Sequence, residues 1–256
     1  MKRFFAILLL AAVFCTFLAG CTVSKRTEET TEIPTAPEPE RERDENGQFV
    51  FDVPEVMNGL YCSPGLDFAN SEDVEGSDYV NCVILSAYAQ DDLAGQIRLA
   101  IKNGNAFWIS TQFLERGIVK DKWGKRYMAI AEDWQSEMDK VVATVREEGA
   151  FNYFLGFYMD EPLFNRFSVK NIYDFSKYNH DTFGKRYFIC FAVEGIVPSE
   201  YNDGVTNGHM TKKYSTYITD AAYDMYWDFE TYKDKYERIN EKMKLELPDA
   251  CRIWYI

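Results

Sequence analysis

Histidine is almost absent from this 256-residue chain: His180 and His209 are the only two. No Cys-x-x-Cys pair occurs, so a zinc site built from cysteine and histidine is not expected. The chain contains no Gly-x-Gly-x-x-Gly fingerprint and no P-loop, and no cofactor is expected from it. Basic residues are also short, 28 against 41 acids, for a net charge of −13. That balance argues against nucleic acid as a partner and against electrostatic adhesion to anionic lipid. No internal repeat stands out. Cysteine is present six times, but Cys62, Cys82, Cys190 and Cys251 are widely spaced, in or beside predicted strands. They read as buried thiols acting as small hydrophobes. Disulfides remain the alternative in an exported protein.

The first twenty residues are set apart from the rest. Lys2 and Arg3 form a basic start, Phe4 to Phe17 carries no charge, and Leu18-Ala19-Gly20 closes the segment with small residues before Cys21. The apolar run is too short for a comfortable membrane span and reads as a signal peptide over 1–20. Leu18-Ala19-Gly20-Cys21 resembles the lipobox of bacterial lipoproteins. The resemblance implies export, cleavage before Cys21, acylation of that cysteine, and a protein lipid-anchored on the extracytoplasmic face of the cell membrane. Each buried CH₂ of an acyl chain contributes roughly 0.8 kcal/mol, enough for several chains to hold a protein firmly.

Residues 21–48 follow as a tether. Pro34, Pro37 and Pro39 punctuate it, Glu40-Arg41-Glu42-Arg43-Asp44-Glu45 is a charge run, and no aromatic residue occurs between Phe17 and Phe49. Such a segment cannot bury enough apolar surface to offset its ordering entropy. Residues 49–256 have a globular composition, rich in aromatics, and are numerous enough for one core.

A strand–helix alternation runs through that globular part. Strands are expected at Leu60–Cys62, Tyr79–Tyr88, Ala106–Ser110, Phe154–Met159, Tyr187–Val193, Ala221–Phe229 and Arg252–Ile256. Helices are expected at Asp91–Asn103, Trp134–Glu148, Val169–Tyr178 and Tyr232–Met243, with a short one over Lys212–Ile218. The strands are apolar without alternating, as in a parallel sheet covered on both faces. The fold class is therefore α/β, a (β/α)8 TIM-barrel-like fold that is incomplete at about seven strands, with a doubly wound sheet as the alternative.

Chemistry in such folds collects at the carboxyl ends of the strands. Phe154-Leu155-Gly156-Phe157-Tyr158-Met159-Asp160-Glu161-Pro162 ends a buried strand in two acids and a proline. Proline biases Glu161 towards an extended conformation. Neighbouring strand residues point to opposite sides, so one acid of the pair should face a pocket, and Glu161 is favoured. Asp160 capping the next helix is the structural alternative. Asp228, or Asp224, offers a second carboxylate on the sixth strand. Tyr61, Tyr88, Trp108, Tyr158, Glu194, Tyr226 and Trp227 supply aromatic faces and an acid for substrate binding. Tyr226 and Trp227 read first as core and only second as a platform. Aromatic faces pack on sugar rings, and paired carboxyls perform glycosidic acid–base work.

Gly156 to Pro162, on the fourth strand of the series, resembles (β/α)8 glycoside hydrolases and their lipoprotein relatives. That resemblance implies a general acid/base at Glu161, a second acid on a later strand, and a carbohydrate substrate. The chain departs from the family in having Asp160-Glu161 where an Asn-Glu pair is common, and in stopping at Ile256, inside its seventh strand, before the strand end where the second acid would be expected. Three other readings stay open: a mouth that binds sugar without cleaving it, an inactive remnant, and a divalent ion held by Asp160, Glu161 and Asp228.

Overall fold

The computed structural model describes residues 41–55, 59–60, 81–88, 92–163, 165–192, 210–224 and 229–254. In chain order the elements are β1 (Gly59–Leu60), β2 (Cys82–Leu85), α1 (Leu93–Lys102), β3 (Ala106–Ser110), β4 (Glu115–Lys120), β5 (Arg126–Ile130), α2 (Trp134–Glu147), β6 (Phe154–Asp160), α3 (Val169–Phe183), β7 (Arg186–Ala192), β8 (Asp220–Asp224), α4 (Phe229–Glu246) and β9 (Arg252–Ile253). β1, β2, β3, β6, β7, β8 and β9 form one parallel sheet in that spatial order. Strands that neighbour each other in simple chain order exclude the doubly wound alternative, whose order reverses at a switch point. They match the winding of a (β/α) barrel. Among the described residues the sheet is open, with β1 and β9 as its edges.

Winding of this kind, with right-handed crossovers, sends every helix to one face of the sheet. The burial pattern agrees. The larger core joins Val83, Leu85, Phe107, Ile109, Phe154, Phe157, Met159, Tyr187, Ile189 and Phe191 to the apolar stripes of the helices. On α2 that stripe is Met138, Val141, Val142 and Val145, spaced for one helical face. The smaller core occupies the opposite, inner face: Cys82, Ala106, Trp108, Leu155, Tyr158, Phe188, Cys190 and Ala222.

A bulge in β6 sets which side chains face inward. Phe107 of β3 pairs with Phe154, but Trp108 pairs with Gly156, so β6 carries one extra residue there. Phe154 faces the helices; without the bulge Gly156, Tyr158 and Asp160 would face them too. Instead Phe157 and Met159 lie in the helix-side core while Tyr158 lies in the inner one. Gly156 has φ 145°, and a Cβ there would stand 1.8 Å from the Arg186 carbonyl oxygen of β7. Only glycine permits that approach.

The inner face is anchored at the amino end of its later strands. Asp220 is fully buried, and its carboxylate accepts hydrogen bonds from Arg186 Nε (2.9 Å) and Trp254 Nε1 (3.0 Å), with the Thr219 hydroxyl 2.7 Å away. The Arg186 guanidinium also lies 5.2 Å from the Trp108 ring centroid. A buried charge with this many partners holds β7, β8 and β9 in one register.

Several expectations are corrected. Residues Arg41–Gln48, read as tether, belong to the folded unit, which begins at Arg41. Arg43 bridges Phe49, Phe49 N–H donates to Gly149 O (2.7 Å), and Asn152 Nδ2 donates to Asp44 Oδ2 (3.0 Å). Phe51 then stacks on Tyr153, supplying the aromatic burial that the charge run lacks. Lys212–Ile218 is a run of turns rather than a helix. The described part of β8 is Asp220–Asp224, and Phe229, expected to close that strand, opens α4 instead. Nothing in the sequence reading anticipated the antiparallel β4–β5 hairpin.

Gly156→Ala is expected to destabilise the chain by about 2–4 kcal/mol, through overpacking against a carbonyl that cannot yield without moving β7. Urea unfolding followed by tryptophan fluorescence measures it; a loss under about 1 kcal/mol, the low end of overpacking costs, would show that the strand realigns freely.

Candidate functional site

The carboxyl ends of β3 and β6 lie side by side, Ser110 opposite Tyr158. After β3 the chain turns through a 3-10 segment, Thr111–Leu114, before Glu115 opens β4. After β6 it bends at Glu161, whose φ of 38° is left-handed rather than the extended conformation expected before proline. A non-glycine residue there costs roughly 1–2 kcal/mol. The bend is held by the backbone: Glu161 N–H donates to Cys190 O (2.8 Å), and Asn165 N–H donates to Glu161 O (2.8 Å). Asn165 Nδ2 adds a bond to Asp160 O (3.2 Å).

These constraints separate the two acids differently from the simple alternation. Asp160 continues the inner-face row of Tyr158, whose hydroxyl donates to Asp160 Oδ1 at 2.8 Å. Glu161 lies beyond the strand, in the bend, and strand alternation does not govern it. Both residues are half-buried.

A third carboxyl joins them that the sequence reading missed. Glu115 is half-buried at the foot of the β4–β5 hairpin, and its pKa is pushed up to about 7. Burial is the larger cause and the negative charge of Asp160 the second. The pair therefore offers a carboxyl that stays protonated towards neutrality beside another carboxylate, the division of labour that acid–base chemistry needs. Glu115 stands five residues past the β3 strand in an unrecognised turn; the only signal in the sequence was an acid shortly after a buried strand. Close by, one end of the Gln112 amide, Oε1, is buried with no hydrogen-bond partner, leaving an acceptor for a donor to fill.

The other expected residues fare unevenly. Trp108 is fully buried and offers no platform: its ring packs with Phe188 (5.3 Å) and Trp254 (6.5 Å). Tyr158 is likewise core, 2% exposed and packed on Phe188 (5.1 Å), and it serves the site through its hydroxyl. Both are corrected from substrate-binding surfaces to inner-face packing, because seven parallel strands leave an interior that rings must fill. Tyr88, half-buried, follows the end of β2. Tyr61, Glu194, Tyr226, Trp227 and Asp228 lie outside the described residues, as do Cys62 and the acylation candidate Cys21. Among the described residues no group of three His, Cys, Asp or Glu side chains is placed to hold a metal ion. Cys82 and Cys251 are free thiols. Burial pushes the Cys82 thiol up to about 12, which makes it a poor nucleophile.

No family model matches the sequence, and no curated protein does. Solved structures similar to this chain include a Bacteroides thetaiotaomicron protein assigned as an alpha-L-fucosidase, at 13% identity and TM-score 0.49, over 78% of this chain and 74% of that one. A chitinase from Chromobacterium violaceum is similar at 13% identity and TM-score 0.46, over 78% and 67%. The glycoside hydrolase domain of PelA from Pseudomonas aeruginosa is similar at 14% identity and TM-score 0.41, over 78% and 83%.

Glu115 links pH to stability with a definite sign. Its folded pKa, about 7, exceeds the unfolded value of 4.5, so the folded state binds more protons between them. Its contribution to stability is complete below about pH 4.5 and lost as pH rises to about 7. Glu115→Gln should match the parent in thermal midpoint at acid pH and exceed it increasingly up to neutrality. Paired melts across that range test this; a constant difference would remove Glu115 as the titrating group.

Proposed function

We propose that this chain is a glycoside-hydrolase-like protein acting on a polysaccharide or glycoconjugate through the carboxyl groups at the ends of β3 and β6. The observation that carries the reading is the meeting of Glu115 and Asp160 at the carboxyl end of a barrel-wound parallel sheet, with the Tyr158 hydroxyl fixing Asp160 and Glu161 adjoining. In glycosidic cleavage one carboxyl gives its proton to the leaving oxygen, while an ionised partner attacks the anomeric carbon or activates water. Glu115 has the protonation state of the donor. Asp160 takes the part of the second carboxyl. Glu161, which the family resemblance marks as acid/base, is the competing donor.

Release of reducing ends from a polysaccharide panel tests the reading. Asp160→Asn is expected to lower kcat by about 10²-fold or more, with folding intact. Glu115→Gln and Glu161→Gln distinguish the donors: removing the true acid abolishes the alkaline limb of the pH–rate profile, and removing the other leaves it. Glycan binding with no product released, by a folded parent protein, would replace cleavage with binding alone.

Export and lipid anchoring form the second half of the proposal, resting on the basic start, the uncharged run and Leu18-Ala19-Gly20-Cys21. Cys21→Ser is expected to abolish incorporation of labelled palmitate and to leave the protein at its precursor mass. Undiminished labelling would exclude Cys21 as the acylated residue.

A further inference from the structure

We propose that the β4–β5 hairpin and the cavity at its base dock an anionic glycan, one bearing carboxylate or phosphate groups. This deepens the glycan reading above and rests on it for the class of ligand.

The hairpin reverses the charge of its surroundings. The chain as a whole is at −13, yet residues 115–130 contain Arg116, Lys120, Lys122, Lys125 and Arg126 against Glu115 and Asp121. Asp121 is consumed by the turn: its Oδ1 accepts from Trp123 N (2.8 Å) and Lys125 N (2.9 Å), and Gly124, at φ 82°, closes the bend. On the helices, lysines pair with acids one turn along, as Lys170 does with Asp174 and Lys242 with Glu246. Among the described residues none of the hairpin's five basic side chains makes an ion pair. No acid among the described residues takes up that charge.

Aromatic surface is interleaved with that charge. Trp123 is 79% exposed, with Lys122 Nζ 4.1 Å from its centroid, and Tyr127 is 41% exposed. A sugar ring stacks on such faces, while its carboxylate or phosphate takes hydrogen bonds from the flanking cations.

The same hairpin walls a cavity of about 560 Å³, lined among others by Lys125, Tyr127, Ala129, Arg166, Ser168 and Asn171. That volume suits one or two sugar residues, and its concavity suits a discrete chain better than a flat bilayer. Arg166 belongs to the loop leaving β6 after Asp160 and Glu161, and its carbonyl accepts from Met128 N–H of β5 at 3.0 Å. The carboxyl-bearing loop and the cationic hairpin thus share a wall of the cavity.

The test is gel retardation of the full-length protein in polygalacturonate and in uncharged dextran, with binding to phosphatidylglycerol vesicles measured alongside. Retardation is expected in polygalacturonate alone and should fade with added salt. Trp123→Ala, and Lys122→Ala with Lys125→Ala, should each weaken it by about fivefold, the scale of one lost stacking or charged contact. Arg98→Ala, on an exposed residue paired with Glu148, should not. Equal retardation in dextran, or hairpin variants that behave as the parent, would overturn the proposal. So would hairpin-dependent binding to vesicles without retardation in polygalacturonate, which would assign the hairpin to a bilayer. Asp160→Asn should retain retardation. A parent protein that cleaves no glycan yet shows hairpin-dependent retardation would end the hydrolase reading and leave the docking site standing.

Discussion

The contact between Gly156 and the Arg186 carbonyl governs where this protein's polar groups face. A strand that alternated without interruption from Phe154 would turn Tyr158 and Asp160 towards the helices. Asp160 would then enter a core of leucine, isoleucine and phenylalanine, where an ionised carboxylate is costly. The bulge at Gly156 moves both residues to the inner face and leaves Phe157 and Met159 to fill the helix side. A one-residue insertion is the smallest change that exchanges the two faces. It requires a residue without Cβ, because β7 passes 1.8 Å from the place a Cβ would take.

The inner face is then divided along the strands. Its amino end is closed by charge and aromatic surface: Asp220 held by Arg186 and Trp254, with Phe51 brought up beneath by the Arg41–Phe51 segment. Its middle is filled by Trp108, Tyr158, Phe188 and Trp254. The carboxyl end is what packing leaves over for hydration, and there the Tyr158 hydroxyl, Asp160, Gln112 and Glu115 collect. The buried ion pair and the proposed site thus occupy opposite ends of one layer.

Periodicity made the seven parallel strands and four helices legible, because a buried strand and an amphipathic helix each repeat a pattern several times. Features that depend on a single residue were not legible. Gly156 inside an apolar run has the composition of a strand, and nothing local marks its left-handed φ. Glu161 before Pro162 read as extended, and backbone bonds to Cys190 and Asn165 overrode that preference. The β4–β5 hairpin has too much charge to read as strand, because both its faces are largely in water. Arg41–Gln48 read as tether from composition alone, whereas its order comes from partners more than a hundred residues away, such as Asn152 and Tyr153. Trp108 was legible as aromatic but not as enclosed, since enclosure depends on Phe188 of β7 and on Trp254, which follows β9.

Glu115 belongs to both halves of the proposed site, and that placement couples them. It opens β4, pairs across the hairpin with Ile130, and feels the charge of Asp160 on β6. Kept neutral, it leaves the hairpin's positive charge less opposed, which favours an anionic ligand there. An anionic ligand brings further negative charge towards Glu115, and a like charge raises a carboxyl's pKa. Each event therefore assists the other, and the linkage is reciprocal by thermodynamic necessity. A glycan drawn in by the hairpin would arrive with the acid protonated, and an uncharged glycan would not exert that effect. Under that proposal, charge on the ligand would become part of the tuning of Glu115, on a chain whose net charge of −13 would otherwise repel it.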